Sequence, residues 1–218
     1  MSVQLSENIT MWTRRDWGAV HPSSVLKVQP TPKEAFLHHT VNSLAAHVDT
    51  LAEQKMAVRA IQRGHMRENG WSDIGYHYLV FQPYGSLDYA RVFQGRQHQY
   101  VPAAQANHNT GTIAIAVYGD FRTDGVKPNT RHAIATLIRT RHAQVALLGG
   151  HRDVFPTSCP GPKLYAAIPR IADNINAATF ALASMMARTE MSTHFEGGPC
   201  ELCAVGGNDT EFDHGYPG

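Results

Sequence analysis

Cysteine is scarce in this chain: Cys159, Cys200 and Cys203 are the only three in 218 residues. So few, so unevenly spread, exclude the disulfide framework by which small secreted domains compensate for a thin core, and they fit synthesis in a reducing cytoplasm. Surplus charge of either sign is missing too. Nineteen Lys and Arg against eighteen Asp and Glu leave a net charge of +1, and no basic run is available to follow a phosphate backbone, so nucleic acid is not an expected partner. The most apolar stretch, Tyr165 to Ala187, is interrupted by Pro169, Arg170 and Asp173. It falls short of the roughly twenty uncharged apolar residues of a membrane helix, and no membrane insertion is expected. Met1 to Thr10 contains Glu7 and lacks both the basic start and the apolar centre of a secretory signal, so any export needs another route. No internal repeat is visible.

What remains is enough chain for one ordinary domain with a modest appendage. Glu34 to Thr40 is a short apolar run ending in polar groups, as expected of a buried strand whose C-terminal end, with His38 and His39, opens into a site. From Asp49 to Asn69 the residues Leu51, Val58, Ile61 and Met66 recur at near-helical spacing, Thr50 can cap the start and Gly70 follows the end. Tyr76 to Phe81 and Leu87 to Phe93 flank Pro83-Tyr84-Gly85-Ser86 and predict a hairpin. Thr112 to Gly119 is small and β-branched throughout, which predicts a central strand covered on both faces.

After Pro128, the segment Asn129 to Leu148 places Ile134, Leu137, Ile138, Val145 and Leu148 at helical spacing and stops at Gly149-Gly150. A last helical region is predicted from about Pro162 to Arg188, broken at Pro169. Strands mixed with long helices give an α/β fold, a central mixed β-sheet with helices packed on its faces. Beyond Thr189 the composition turns to Gly, Pro and polar residues that cannot bury much apolar surface. The expected organisation is therefore a catalytic domain over 1–178 and a helix end and tail, disordered or a small accessory piece, over 179–218.

Thirteen histidines are many for this length, but most sit singly among polar residues and read as ordinary surface side chains. Three places call for chemistry: His38-His39 at a strand end, His151 after Gly149-Gly150, and Cys159 in Thr157-Ser158-Cys159-Pro160-Gly161. A catalytic zinc takes three ligands of His, Cys or carboxylate type and keeps a fourth position open. Two imidazoles and a thiolate meet that demand. Spacing alone leaves the bland alternative open, since His38 and His151 are far apart in sequence and a single buried cysteine also serves as a small hydrophobe.

The order of motifs narrows the choice. Thr13-Arg14-Arg15-Asp16-Trp17-Gly18-Ala19, then Phe36-Leu37-His38-His39-Thr40, then Gly70-Trp71-Ser72-Asp73-Ile74-Gly75-Tyr76-His77-Tyr78 follow one another. After them come His108-Asn109-Thr110-Gly111-Thr112-Ile113 with Gly119-Asp120-Phe121, and Gly150-His151-Arg152-Asp153-Val154 with Thr157 to Gly161. From about Trp12 to Ala178 this series resembles the type 2 N-acetylmuramoyl-L-alanine amidase and peptidoglycan recognition protein family, which includes the phage T7 lysozyme type. The resemblance implies that family's α/β fold and one catalytic zinc held by His38, His151 and Cys159. It also implies Tyr76 and Thr157 as the catalytic side chains, Tyr76 close to the reacting water and Thr157, whose hydroxyl can bond an oxyanion, at a position that is lysine in T7-type lysozymes and threonine in the recognition proteins. The implied reaction is hydrolysis of the amide between N-acetylmuramic acid and L-alanine in bacterial peptidoglycan. The implied setting is a monomeric phage endolysin, made in the host cytoplasm and acting on the wall after release.

His39 faces away from His38 on an alternating strand and is expected to be a hydrogen-bonded neighbour. Asp73, His77, His108 and Asn109 are cleft or scaffold candidates, and Tyr78 is the better candidate for a core tyrosine. Where many relatives carry a histidine before the His-Asn-Thr-Gly segment, this chain reads Ala103-Ala104-Gln105-Ala106-Asn107, and Gln105 is expected to replace a substrate-holding group in part. The competing function is a peptidoglycan-binding receptor without catalysis. Cys159 and Tyr76 favour the enzyme. His194, Cys200-Glu201-Leu202-Cys203 and His214 offer the tail a second metal or a disulfide, on the weak signal of one Cys-x-x-Cys.

Overall fold

A computed structural model describes residues 1–41, 48–83 and 89–177. The Cys200/Cys203 tail, residues 178–188 of the last predicted helix, residues 84–86 of the predicted hairpin turn and 87–88 of the strand predicted after it lie outside the described residues. The element order is β1 Val3–Ser6, β2 Ile9–Trp12, α1 Arg14–Trp17, β3 Glu34–His39, α2 Leu51–Arg67, β4 Tyr78–Phe81, β5 Arg91–Gln94, β6 Thr112–Tyr118, α3 Pro128–Arg141, β7 Leu147–Gly150, a 3-10 turn His151–Asp153 and α4 Pro162–Tyr165. A further helical stretch runs over 168–177. The strands form one seven-stranded mixed sheet in the order β1-β2-β5-β4-β6-β3-β7.

The sheet is parallel from β4 through β6 and β3 to β7, and antiparallel at β1–β2 and β4–β5. Side chains alternate between faces along each strand, so each strand feeds two cores. On one face Leu37, Tyr78, Val80, Ile113, Ile115 and Val117 pack under Ile134, Leu137 and Ile138 of α3 and under Leu164 and Ile171. On the other, Leu79, Phe81, Phe93 and Tyr118 meet Trp17 of α1 and Val58 of α2. β6 is buried at all seven positions, as its unbroken small and β-branched run predicts. Thr50 caps α2 as the sequence predicts: its hydroxyl accepts from the Glu53 N–H at 3.2 Å while the Glu53 carboxylate accepts from the Thr50 N–H at 2.9 Å. Among the described residues no helix is long and apolar enough to cross a membrane.

Three expectations need correction. The helix predicted from Asn129 to Leu148 ends at Arg141, and Leu147–Gly150 is a strand parallel to β3, paired from Glu34↔Leu147 to Leu37↔Gly150. Helical spacing continued by chance through Val145 and Leu148, whereas His142 leaves the helix at φ −143° and is fixed in the core by the Tyr78 hydroxyl, 2.8 Å from its Nε2. Second, the last helical region is interrupted at 166–167 rather than at Pro169, which lies in the first turn of the stretch over 168–177, where its missing N–H costs nothing. Third, not all the histidines read as surface side chains are there: of the ten described, His38, His39, His77 and His142 are buried, His65, His98, His108 and His151 are half-buried, and His21 and His132 are exposed. A neutral imidazole with at least one nitrogen hydrogen-bonded is a tolerable core group, and isolation among polar residues in sequence does not reveal that.

Candidate metal centre

Strand register builds the site. β3 and β7 are adjacent and parallel, and the last pair in their ladder is Leu37↔Gly150. One residue further on, His38 and His151 come side by side, with ring centroids 4.6 Å apart, although 113 positions separate them in sequence. Both lie at the C-terminal ends of parallel strands, where open α/β sheets place their ligands. Gly150 lets the chain return close to the site. A Cβ there would stand 2.7 Å from the Tyr165 ring and 2.9 Å from Pro160, the two residues that carry the backbone past it. The return loop is tied down by Arg152 N–H to the Cys159 carbonyl at 3.0 Å and by Arg152 Nη2 to the Ser158 carbonyl at 2.8 Å.

That loop delivers Cys159, whose Sγ lies 3.7 Å from His38 Nδ1. One ligand atom each from His38, His151 and Cys159 fall within 4.8 Å of one another, forming a metal-ligand cluster among the described residues. A zinc fits this donor set. Ligand distances of about 2.1 Å to nitrogen and 2.3 Å to sulfur give a tetrahedral edge of about 3.6 Å, close to the observed nitrogen–sulfur separation. His151 Nε2 is buried without a hydrogen-bond partner, a condition that costs about 1–3 kcal/mol unless a ligand relieves it.

The surrounding electrostatics suit a metal rather than a proton. Burial, followed by the neighbouring His151, lowers the His38 pKa to about 3, and burial lowers that of His151. Both imidazoles are neutral at pH 7, the form that ligates. Burial raises the Cys159 thiol to about 11. Opposing it are the His39 backbone N–H, which donates to Sγ at 3.4 Å, and the Arg152 charge. The thiolate therefore needs a cation to persist at neutral pH.

Tyr76 lies just before β4, its ring 5.4 Å from that of His38 and 5.3 Å from that of His65 on α2. Gly75 allows this, since a Cβ there would run into the Ala103 carbonyl and the Trp71 ring. Burial, with the adjacent Cys159, raises the Tyr76 phenol above its ordinary range, so it stays a donor. Thr157 accepts the Cys159 N–H on its hydroxyl at 3.2 Å. A cleft of about 320 Å³, lined by Trp71, Ala103, Asn109, His151 and Phe155 among others, opens beside the cluster. A larger one of about 620 Å³ around Arg14, Arg15 and His21 shares none of these residues, and chemistry rather than size picks the site.

The remaining candidates are scaffold. Asp73 pairs with Arg14 at 2.9 Å and accepts from Gln62 at 2.7 Å. His77 ties two strands: its Nδ1 accepts the Ala114 N–H at 3.1 Å and its Nε2 meets the Tyr100 carbonyl at 2.9 Å. His39 Nδ1 accepts the Phe121 N–H at 3.2 Å, on the face opposite His38. Asn109 accepts the N–H groups of Ala104 and Gln105, and His108 pairs with Glu34 at 2.6 Å. Tyr78 is a core residue bonded to His142. Gln105 departs from expectation. It is wholly buried, with Oε1 3.1 Å from His38 Nε2 and Nε2 2.8 Å from Thr112 Oγ1, and so is placed behind His38 rather than at the cleft. No signal in the sequence distinguishes that position from a cleft one.

Known proteins resemble the chain over most of its length. Residues 28–162 match the family model described as N-acetylmuramoyl-L-alanine amidase. Peptidoglycan-recognition protein SD of Drosophila simulans is 30% identical over 173 residues, 77% of this chain and 88% of that one. The crystal structure of Drosophila peptidoglycan recognition protein SD gives a TM-score of 0.63 at 30% identity, covering 72% of this chain and 92% of that chain. A mutant of Drosophila PGRP-LB, solved in complex with tracheal cytotoxin, gives 0.60 at 27%, covering 72% and 92%. The mixed sheet with helices on its faces is the fold of these proteins.

Proposed function

The chain belongs to the N-acetylmuramoyl-L-alanine amidase family, and from that premise we propose that it is a zinc-dependent hydrolase of bacterial peptidoglycan, cutting the amide between N-acetylmuramic acid and the L-alanine of the stem peptide. The observation that carries the reading is the convergence of His38, His151 and Cys159 within 4.8 Å, beside Tyr76 and an open cleft. Zinc in such a site polarises a carbonyl and lowers the pKa of water to about 7. The protein's own groups do the rest. His38 and His151 stay neutral, and the His39 N–H steadies the sulfur. Tyr76, protonated throughout the physiological range, donates to the oxyanion that forms as the carbonyl turns tetrahedral. Thr157 carries no positive charge and holds the cysteine loop. Asp73 and Asp153 are both engaged, Asp153 by the Gly150 N–H at 2.8 Å and the Tyr165 hydroxyl at 2.6 Å, which argues against the carboxylate pair of a glycosidase.

The second reading, a peptidoglycan receptor without hydrolysis, draws support from relatives that are recognition proteins. Digestion of purified peptidoglycan separates the two. The amidase releases new amino termini on L-alanine and no reducing sugar ends, a chelator stops it and zinc restores it. Binding without released amine would establish the receptor, and reducing ends would establish a glycosidase. We further place the activity in residues 1–178, acting as a monomer in phage lysis on the analogy of the T7 lysozyme type.

A further inference from the structure

His38 is held from behind by a hydrogen-bond chain whose donor and acceptor roles are forced. The Asn109 carbonyl can only accept, and Thr112 Oγ1, 2.7 Å away, gives it the single proton of its hydroxyl. Thr112 therefore meets Gln105 as an acceptor, at 2.8 Å, and the NH2 end of the Gln105 amide must face it. The other end, Oε1, then faces His38 Nε2 at 3.1 Å. An amide oxygen has no proton to give, so Nε2 must carry one. By exclusion Nδ1 of the neutral ring bears a bare lone pair, and it is Nδ1 that lies 3.7 Å from Cys159 Sγ. Three members of the chain are shielded from solvent, Gln105 at 0% exposure and Thr112 and His38 at 1%, and Asn109 is half-buried. The Asn109 side chain anchors the chain by accepting the Ala104 and Gln105 N–H groups at 3.0 Å each.

We propose that Gln105 is a positioning residue that locks His38 in the Nε2–H tautomer and fixes its ring plane, so that Nδ1 is presented as a ligand before any metal arrives. Without the amide, the ring is free to turn and to point an Nδ1 proton at Cys159, and the metal must then reverse both. Outer partners of this kind are worth about 10–100-fold in metal affinity. The inference rests on the zinc reading for the identity of the ion alone; the tautomer belongs to the metal-free chain.

Full-length metal-free protein, 15N-labelled on histidine, reports the tautomer directly, and zinc titration against a chromophoric chelator reports affinity. Neither measurement involves peptidoglycan, so both remain informative if the amidase reading fails. Wild type is expected to show His38 protonated on Nε2 alone. Gln105→Leu is expected to lose that single tautomer and to bind zinc about 10–100-fold more weakly, whereas Gln105→Glu keeps an acceptor and is expected to bind at least as tightly as wild type. A purely structural plug would be hurt more by the buried carboxylate than by leucine, so the order of the two variants decides. An Nδ1 proton on His38 in the wild type, or weaker zinc binding by the Glu variant than by the Leu variant, overturns the proposal. If the Leu variant does not fold, the wild-type spectrum still decides it, and zinc binding by the Glu variant weaker than wild type then overturns the proposal.

Discussion

Two side chains carry the sharpest consequences. Cys159 is the proposed ligand whose thiolate a cation would have to stabilise, because burial raises its thiol to about 11. Cys159→Ala is expected to lose tightly bound zinc and all amidase activity while the sheet still forms; metal analysis of the purified variant checks this, and full zinc retention with wild-type turnover would remove Cys159 from the site. Tyr76 is expected to act only as a donor. Tyr76→Phe should keep fold and zinc and lose about a hundredfold in turnover, the scale for one oxyanion donor, whereas Thr157→Ala should lose less because that hydroxyl holds a backbone N–H. Kinetics on zinc-loaded variants decide between them, and an unimpaired Tyr76 variant would show that the phenol has no part in the reaction. His38, His151 and Cys159 were legible at this scale only through the motifs around them. Gln105 was legible as a departure but not as a partner of His38, since which atom faces which is a property of the folded loop.

Among the elements, β7 is the one on which the site turns and the one the sequence concealed. Leu-Leu-Gly-Gly has no β-branched residue, yet it pairs with β3 and sets the register that brings His151 to His38. Its glycines answer to close packing: Gly149 has Phe36 3.1 Å from where a Cβ would stand, and Gly150 has Tyr165 at 2.7 Å. Gly150→Ala should therefore cost about 1–3 kcal/mol of stability by overpacking and weaken zinc binding through displacement of the next residue. Urea unfolding with a zinc titration checks both, and a variant as stable as wild type would show that the loop beyond Gly150 gives way freely. By contrast α2 was readable almost to the residue, because its cap Thr50, its Glu53 and its apolar spacing are local signals.

Over the whole molecule, the buried histidines set the response to acid. Burial, reinforced by His98, His77 and Arg141, lowers His142 to about 3, and burial with Arg96 and His98 lowers His77 to about 3 against the Tyr100 carbonyl that opposes it. The native state keeps both neutral where the unfolded chain takes up protons near pH 6.5. Their contribution is therefore complete above pH 6.5 and is lost as pH falls toward 3, with a slope of up to about 1.4 kcal/mol per pH unit for each. Urea midpoints of the metal-free protein at pH 7.5, 6.0 and 5.0 should fall in that order; a flat profile would mean that these rings are charged and otherwise partnered. The sequence by itself determined the α/β class, the buried β3 and β6, α2, and the identities of His38, His151 and Cys159, because hydrophobic periodicity, caps and motif order are encoded within short windows. Only the tertiary structure decided that β7 is a strand, that four of the ten described histidines are buried, and that Gln105 stands behind His38. Each of these depends on which distant segment a residue meets, and strand register across 113 positions is written in no local window.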